Sequence, residues 1–587
     1  MSMQQAPQRR RSPWVRYAPI IVIVVIVAIV AVYLGTRSSS KKSDNNNSTT
    51  NTTVNAKSGV NGVPLFYNDA KAQGVLTKYT WQPNCDTSTG LVAVPIVNPA
   101  PCVPTAANNG GATSPGVTGS TIKIGIYIAK PDPTYDPILK AVGAYDTPDA
   151  TWQAEQDYAQ IFENTYEMYG RKFQLVRIDG SGPSTDAVHA RADADVAAQD
   201  GVFAVIGGPA QTKTFGDELA AKHILLVGSG SNAQPQQNFE NESPYLWSTG
   251  PSPEQTSSMI AHFIQTQLIG KPAQYGGADV NGKPRTFTLL TYDTPDGVYK
   301  SSWDDLENKI KGIGGTVKDH IDYFLDPTAL QQDARTTAAR LKAAGATSII
   351  FTGDPIFPQF LTKEMAKDNY FPEWIMSGTV LADTNVFARG FDQQEWQHAF
   401  GLSLTPVQLP KDKQDSYTVH QWWFGTPPPT QNNYAIVKGD WQLLSQGIQL
   451  AGPNLTPQTF KNGQDAMPPV TSSLQPTNQA ISTYGDHGYW PNETDDPMGL
   501  DNTGILYWDP NVSGPDETGT VGQGMYRRVL NADRFLLGPN GGNWPANIPL
   551  FNPANTITTY TDSNVPADLL PKTYPVPANA PNPNKGG

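Results

Sequence analysis

The sequence predicts an α/β protein made of two lobes, each a parallel sheet with helices on both faces. Three observations predict it. From Thr121 to Gly378, short β-branched strands alternate with amphipathic helical stripes, the rhythm of strand–helix–strand units. Each strand runs into a turn rich in Gly, Ser, Thr or Pro, and open parallel sheets bind ligands beyond such strand ends. The series restarts near Leu246-Trp-Ser-Thr-Gly-Pro-Ser252, which makes two halves with a cleft between them.

The chain has 587 residues, enough for two or three full cores. Its 41 basic and 53 acidic residues leave a net charge of −12, and no basic stripe interrupts the acidic excess. That balance excludes a nucleic-acid partner, because phosphate binding needs clustered Lys and Arg. Residues 1–16 carry Arg9, Arg10, Arg11 and Arg16 and read as a cytoplasmic tail. The uncharged run Tyr17–Leu34 is long enough to span a hydrocarbon core. Its length, and the lack of a small-x-small site after it, favour an uncleaved single-pass anchor, N-terminus inside, over a cleaved signal peptide. The bulk of the chain is then extracytoplasmic.

Residues 35–60 are polar and of low complexity, a flexible stalk. A Pro-rich extension covers 61–118 and holds both cysteines, Cys85 and Cys102. Outside the cytoplasm such a pair reads as a disulfide, and two thiols without clustered histidines cannot make a four-ligand zinc site.

The first lobe, 119–250 with about 403–480, opens on strand Thr121–Ile128. Helix stripe Ala154, Tyr158, Ile161, Phe162, Thr165 follows and stops at Gly170. Strand Lys172–Ile178 leads to a small-residue helix from Ser184 to about Asp200. Strand Val202–Ile206 meets the turn Gly207-Gly-Pro-Ala-Gln-Thr212, and strand Ile224–Val227 meets Gly228-Ser-Gly-Ser231. The second lobe, 251–402 with about 500–530, starts with a helix at Pro253 striped by Met259, Ile260, Phe263, Ile264 and Leu268. Strand Thr286–Tyr292 precedes Asp293-Thr-Pro-Asp-Gly297, and Ser302 and Asp305 read as caps of the next helix. Strand Ser348–Phe351 ends at Thr352-Gly-Asp-Pro355, and Trp374–Met376 at Ser377-Gly-Thr379. A last helical stripe runs Tyr434, Val437, Trp441, Leu444, Ile448. Residues 531–587 are Pro- and Asn-rich and read as a poorly ordered tail.

In order and spacing the chain resembles the type I periplasmic solute-binding proteins, the branched-chain amino-acid and amide-binding group of ABC-transporter receptors. The stretches that carry the resemblance are Gly116–Gly125, Phe203–Gly208, Ile224–Ser231, Asp296-Gly297, Leu341–Gly345 through Gly353, and Tyr434–Gly452 with Leu455-Thr-Pro457. It implies two Rossmann-like lobes joined by three crossovers, closing on a small solute for an ABC permease. By position it implies ligand contacts at Pro209, Ala210, Gln211 and Thr212, at Gly228, Ser229, Gly230 and Ser231, and at Asp296, Pro355 and Thr379. Helix N-termini after Gly207 and Gly228 are expected to aim N–H groups into the crevice. The chain departs from the family's amino-acid binders: Asp296 stands where they have an aromatic, and uncharged Thr379 near their carboxylate. Asp293, Asp354 or Asp383 are the substitutes at hand for pairing an ammonium. An amide, a small organic acid or a polyol fits these turns without one.

Catalytic patterns are missing from the sequence. The seven histidines are scattered, with no His-Glu-x-x-His, no Gly-x-Ser-x-Gly and no Walker lysine. Gly228-Ser-Gly-Ser lacks the third glycine of a dinucleotide turn, so no cofactor is expected. Asp495, Asp496 and Asp501 read as a solvated loop rather than a calcium site. Trp422, Trp423 and Phe424 suit a loop packed on the hinge or a sugar-stacking platform. The expected function is a non-enzymatic receptor that hands a solute to an importer; the alternative is a sensor module signalling to a membrane partner.

Overall fold

The computed structural model describes residues 56–584, apart from 134–135, 142, 210, 233, 295–296, 327, 470–476, 491–494 and 539–541. The tail, the segment 17–34 and all of the stalk but its last few residues lie outside the described residues. No described helix is long and apolar enough to cross a membrane.

Lobe I is a five-stranded parallel sheet of β1 (Thr121–Ile128), β2 (Lys172–Asp179), β3 (Ala204–Ile206), β4 (Leu225–Val227) and β5 (Leu246–Trp247), in the order β2-β1-β3-β4-β5. Its inner strands read as unbroken apolar runs because helices cover both faces. Helices α1 (Pro148–Thr165), α2 (Ala187–Gln199) and α3 (Thr214–Ala221) fill the crossovers. The side chain of Asp186 caps α2 by accepting from the amides of Val188 and His189.

Lobe II repeats the order. Its strands β6 (Phe287–Tyr292), β7 (Val317–Tyr323), β8 (Ser348–Thr352), β9 (Glu373–Met376) and β10 (Ala399–Ser403) run parallel as β7-β6-β8-β9-β10. An antiparallel edge of β11 (Asn502–Pro515) and β12 (Val521–Arg528) extends the sheet, and β13 (Arg534–Leu536) pairs with β11. Helix α4 (Pro253–Gln267) starts at a capping box of Ser252 and Gln255 with Pro253 in its first turn. Helix α5 (Lys300–Gly312) begins ahead of the expected caps, and α6 (Leu330–Ala344) and α7 (Pro358–Lys367) follow β7 and β8. Ser302 lies inside it, buried, and its hydroxyl donates to Glu254 at 2.6 Å.

After β10 the chain returns to lobe I for α8 (Asp415–Phe424), α9 (Tyr434–Ala451) and α10 (Pro457–Asp465), then crosses back to β11. The described residues within 248–252, 404–414 and 466–501 therefore belong to the three crossovers. Trp422, Trp423 and Phe424 end helix α8 rather than forming a loop. Trp423 is buried in the lobe I core, and Trp422 Nε1 donates to the carbonyls of Tyr574 and Pro575.

The extension 61–118 is welded to lobe I. Val92, Val94, Ile96 and Ala100 join its core, and Cys85 and Cys102 form a disulfide with Cα atoms 5.5 Å apart.

The segment from 531 onward was expected to be poorly ordered, and its described residues are packed. Ile548 and Leu550 sit in the lobe II core, Tyr560 N donates to the crossover carbonyl of Gln408, and Ala580 is buried in the lobe I core. The segment is a strap from lobe II over the second crossover to lobe I. Its prolines do not prevent this, because an extended strap held by side chains needs few backbone donors.

Candidate functional site

The C-terminal ends of both parallel sheets carry the turns singled out by sequence. On lobe I these are Gly207–Thr212 and Gly228–Ser231; on lobe II they follow Tyr292, Thr352 and Met376. A hydrogen bond spans the lobes here: Tyr292 Oη, at the end of β6, donates to Gln211 Oε1 at 3.3 Å. Ser184 Oγ, from the turn after β2, reaches the same oxygen at 3.3 Å. Gln211 is thus the side chain of its turn that meets the opposite lobe. Pro209 is buried, and Thr212, also buried, uses its carbonyl to accept from Gln234 Nε2 at 3.3 Å. Ala210 and Asp296 fall outside the described residues.

The second lobe I turn is turned inward. Ser229 donates its amide to Asp440 Oδ1 at 2.9 Å and its hydroxyl to Asp440 Oδ2 at 2.5 Å. Ser231 Oγ donates to the carbonyls of Trp247 and Gly228, at 2.6 and 3.0 Å. The expected anion-facing helix N-terminus is therefore not formed at this turn: residues Ser229–Ser231 make one 3₁₀ turn, and its first amide is spent on α9. After Gly207 the helix begins only at Thr214. What the glycines supply is closeness. A Cβ on Gly230 would lie 2.4 Å from the carbonyl oxygen of Gly207, so the two turns touch backbone to backbone.

Asp440 is buried between α9 and the sheet, and burial pushes its carboxyl up to about 7. Glu155, buried nearby on α1, is also pushed up, by burial and by Asp440. Because the folded value lies above the usual 3.8, Asp440 costs nothing below pH 4, and its penalty grows until about pH 7. The full span is on the order of 4 kcal/mol. The Asp440→Asn variant is expected to flatten this dependence in urea titrations, gaining most over the parent at pH 8 and least at pH 4. An unchanged slope between pH 4 and 7 would refute the assignment.

On lobe II the turns after β8 and β9 are tied together, since Thr379 Oγ1 donates to Gly353 O at 3.4 Å and sits 3.0 Å from Ser377 Oγ. Pro355 is buried beside them. Val380 and Leu381 follow at φ of 45° and 63°, and both are about half exposed. Left-handed backbone at a β-branched residue is strained, and it keeps an apolar lip beside Thr379.

The three carboxylates considered as ammonium partners are engaged by the protein. Asp293 Oδ1 accepts the amides of Thr294 and Tyr299; Asp354 accepts the amides of Ile356 and Phe357 and the hydroxyl of Tyr323. Asp383 Oδ2 accepts from Ser403 Oγ and from both the amide and the hydroxyl of Thr405.

Sequence reasoning missed the aromatic cluster at the lobe II strand ends. Tyr292, Tyr299, Tyr323 and Phe357 pack together, with Tyr323 and Phe357 stacked at 4.4 Å. The available signal was a tyrosine closing each of the strands FTLLTY and VKDHIDY. An aromatic does stand close in sequence to position 296: Tyr292 closes β6 four residues earlier. Among the described residues no group of His, Cys, Asp and Glu is arranged to hold a metal ion.

A family model described as periplasmic binding protein matches residues 141–488, more than half of the chain. Solved structures show a similar arrangement. An ABC-transporter substrate-binding protein from Aeropyrum pernix is 15% identical, with a TM-score of 0.47 over 69% of this chain and 94% of that one. A solute-binding protein from R. palustris, solved with 4-hydroxybenzoate, is 13% identical, with a TM-score of 0.47 over 72% of this chain and 98% of that one. A periplasmic binding protein from Burkholderia mallei is 12% identical, with a TM-score of 0.46 over 66% and 89%. At such distances the likeness says nothing of the ligand. Comparison with curated proteins finds no match.

Proposed function

The chain belongs to the periplasmic binding protein family, and from that premise we propose that it is an extracytoplasmic receptor capturing a small polar solute between its lobes for an ABC importer. The observation that carries this reading is the Gln211–Tyr292 hydrogen bond, which joins a lobe I strand-end turn to a lobe II strand end. The solute class is an organic acid or an amide. The engaged carboxylates Asp293, Asp354 and Asp383 favour it over an amino acid, since a buried ammonium needs a charge partner. The tyrosine cluster offers an apolar face, and Tyr292 carries a hydroxyl to the boundary between the lobes. The uncharged run Tyr17–Leu34, whose composition suits an anchor, and the Cys85–Cys102 disulfide support placement outside the cytoplasm, where thiols are oxidised.

Thermal-shift screening of the full chain against short organic acids, amides, amino acids and polyols tests the reading. A solute at 100 times its Kd adds about 2.7 kcal/mol of stability. With the solute so found, Tyr292→Phe is expected to weaken binding about fivefold, the worth of one hydrogen bond. No shift with any compound, or a Tyr292→Phe protein that binds as tightly as the parent, counts against it.

A further inference from the structure

A cavity opens where the crossovers meet α9. Its volume is about 550 Å³, within the range of small-molecule sites, and none of the turn residues of the interlobe cleft lines it. Its walls are one face of α9 and parts of all three crossovers, represented by Thr249, Val407 and Gln479. The strap adds Leu569.

Three carboxamides in these walls are held in one orientation. Gln442 donates its Nε2 to the carbonyls of Val97 and Asn98, at 3.2 and 2.9 Å. Gln446 Nε2 donates to Gln464 Oε1 at 2.8 Å, and Gln464 passes its own Nε2 to Leu443 O. Gln479 Nε2 donates to Asp568 O on the strap. With each amino group committed to a carbonyl, each amide oxygen is left as an acceptor that no described donor fills. The charges among the walls are satisfied within the protein. Lys438 pairs with Asp415 at 2.6 Å, and the Glu517 carboxylate accepts from Asn385 and Val386.

The cavity is also left open by sequence. Gly439 sits in the middle of α9, where glycine weakens a helix, and a Cβ built on it meets nothing within 4 Å. Gly447, on the same helix, is different: its Cβ would strike the Phe460 ring at 2.2 Å. Close packing explains Gly447 and does not explain Gly439.

We propose that this cavity is a second binding site, for a neutral polyhydroxylated solute of mono- to disaccharide size. The solute's hydroxyls donate to the oxygens of Gln442, Gln446 and Gln479, and the Tyr434 ring gives it an apolar wall. Neutral acceptors around internally paired charges suit hydroxyl donors better than an organic cation. Because all three crossovers contribute, occupancy is coupled to lobe opening, and by linkage to affinity in the cleft.

Calorimetric titration of the full chain with a panel of mono- and disaccharides, and with small organic amines as the contrasting arm, tests this. The expected result is saccharide binding that Gly439→Phe weakens at least tenfold, that Gly439→Ala leaves unchanged, and that Tyr292→Phe, acting only through the hinge, alters less than Gly439→Phe does. If Gly439→Phe shows no cooperative thermal transition, Ala435→Trp fills the same space from an adjacent wall position. Saccharide binding lost in Tyr292→Phe but kept in both cavity-filling variants would assign the sugar to the interlobe cleft and overturn the proposal. Binding of amines only, or of no saccharide, would overturn it as well; either result leaves the cleft reading to its own solute screen.

Discussion

Arg534→Met is expected to lower stability by about 3–5 kcal/mol, because it removes a buried guanidinium that holds the hinge together. Arg534 is 2% exposed. It donates to Asn502 Oδ1 at 3.0 Å and to Asn502 O at 2.8 Å, where the third crossover enters β11. It also reaches the carbonyls of Leu404 and Thr405, at 3.0 and 3.1 Å, where the second crossover leaves β10. Methionine fills much of the volume and leaves these buried carbonyls without donors. Arg534→Lys is expected to recover only part of the loss, since an ammonium lacks the planar fork that spans two strands. The midpoint of urea unfolding checks both variants. A loss below about 1 kcal/mol for Arg534→Met would mean that the crossovers hold their geometry without it.

Gly230→Ala is the change expected to damage the cleft most. The added methyl would meet Gly207 O at 2.4 Å and Gly207 C at 2.5 Å, and neither backbone atom can turn aside as a side chain would. The turns after β3 and β4 must separate, at a cost of about 2–3 kcal/mol. Gln211, four residues beyond Gly207, then loses its register against Tyr292, and affinity for the cleft solute is expected to fall at least tenfold. Gly312→Ala is the matched control. It lies in α5 with nothing within 4 Å of the new Cβ, so it is expected to be neutral or slightly stabilising. Equal binding by the Gly230→Ala and Gly312→Ala proteins would show that the turn contact is dispensable.

The two-lobed plan was legible because its signals are local. β1 is apolar at alternate positions where the pattern is cleanest, and α1 carries its stripe at Ala154, Tyr158, Ile161, Phe162 and Thr165, all buried. The start of α4 was legible for the same reason, since Pro253 and its cap are neighbours in sequence. The strand-end turns were legible as positions and not as contacts. Nothing near Ser229 in sequence announces Asp440, more than two hundred residues on, which takes both of its hydrogen bonds. The strap was misread because its composition, rich in Pro and Asn, is that of a chain unable to build its own core. It borrows two cores instead, placing Leu550 in one lobe and Ala580 in the other.

The sequence by itself determined the strand–helix rhythm, the restart after Trp247 and the closure of Cys85 on Cys102, each of which depends on residue pattern or on a single pair. Tertiary structure alone decided that Gln211 meets Tyr292, that Asp293, Asp354 and Asp383 are engaged, and that Arg534 ties two crossovers. The physical reason is range. Periodicity is set by neighbours a few residues apart, whereas a buried polar group takes whichever partner the packing of distant segments brings within about 3 Å.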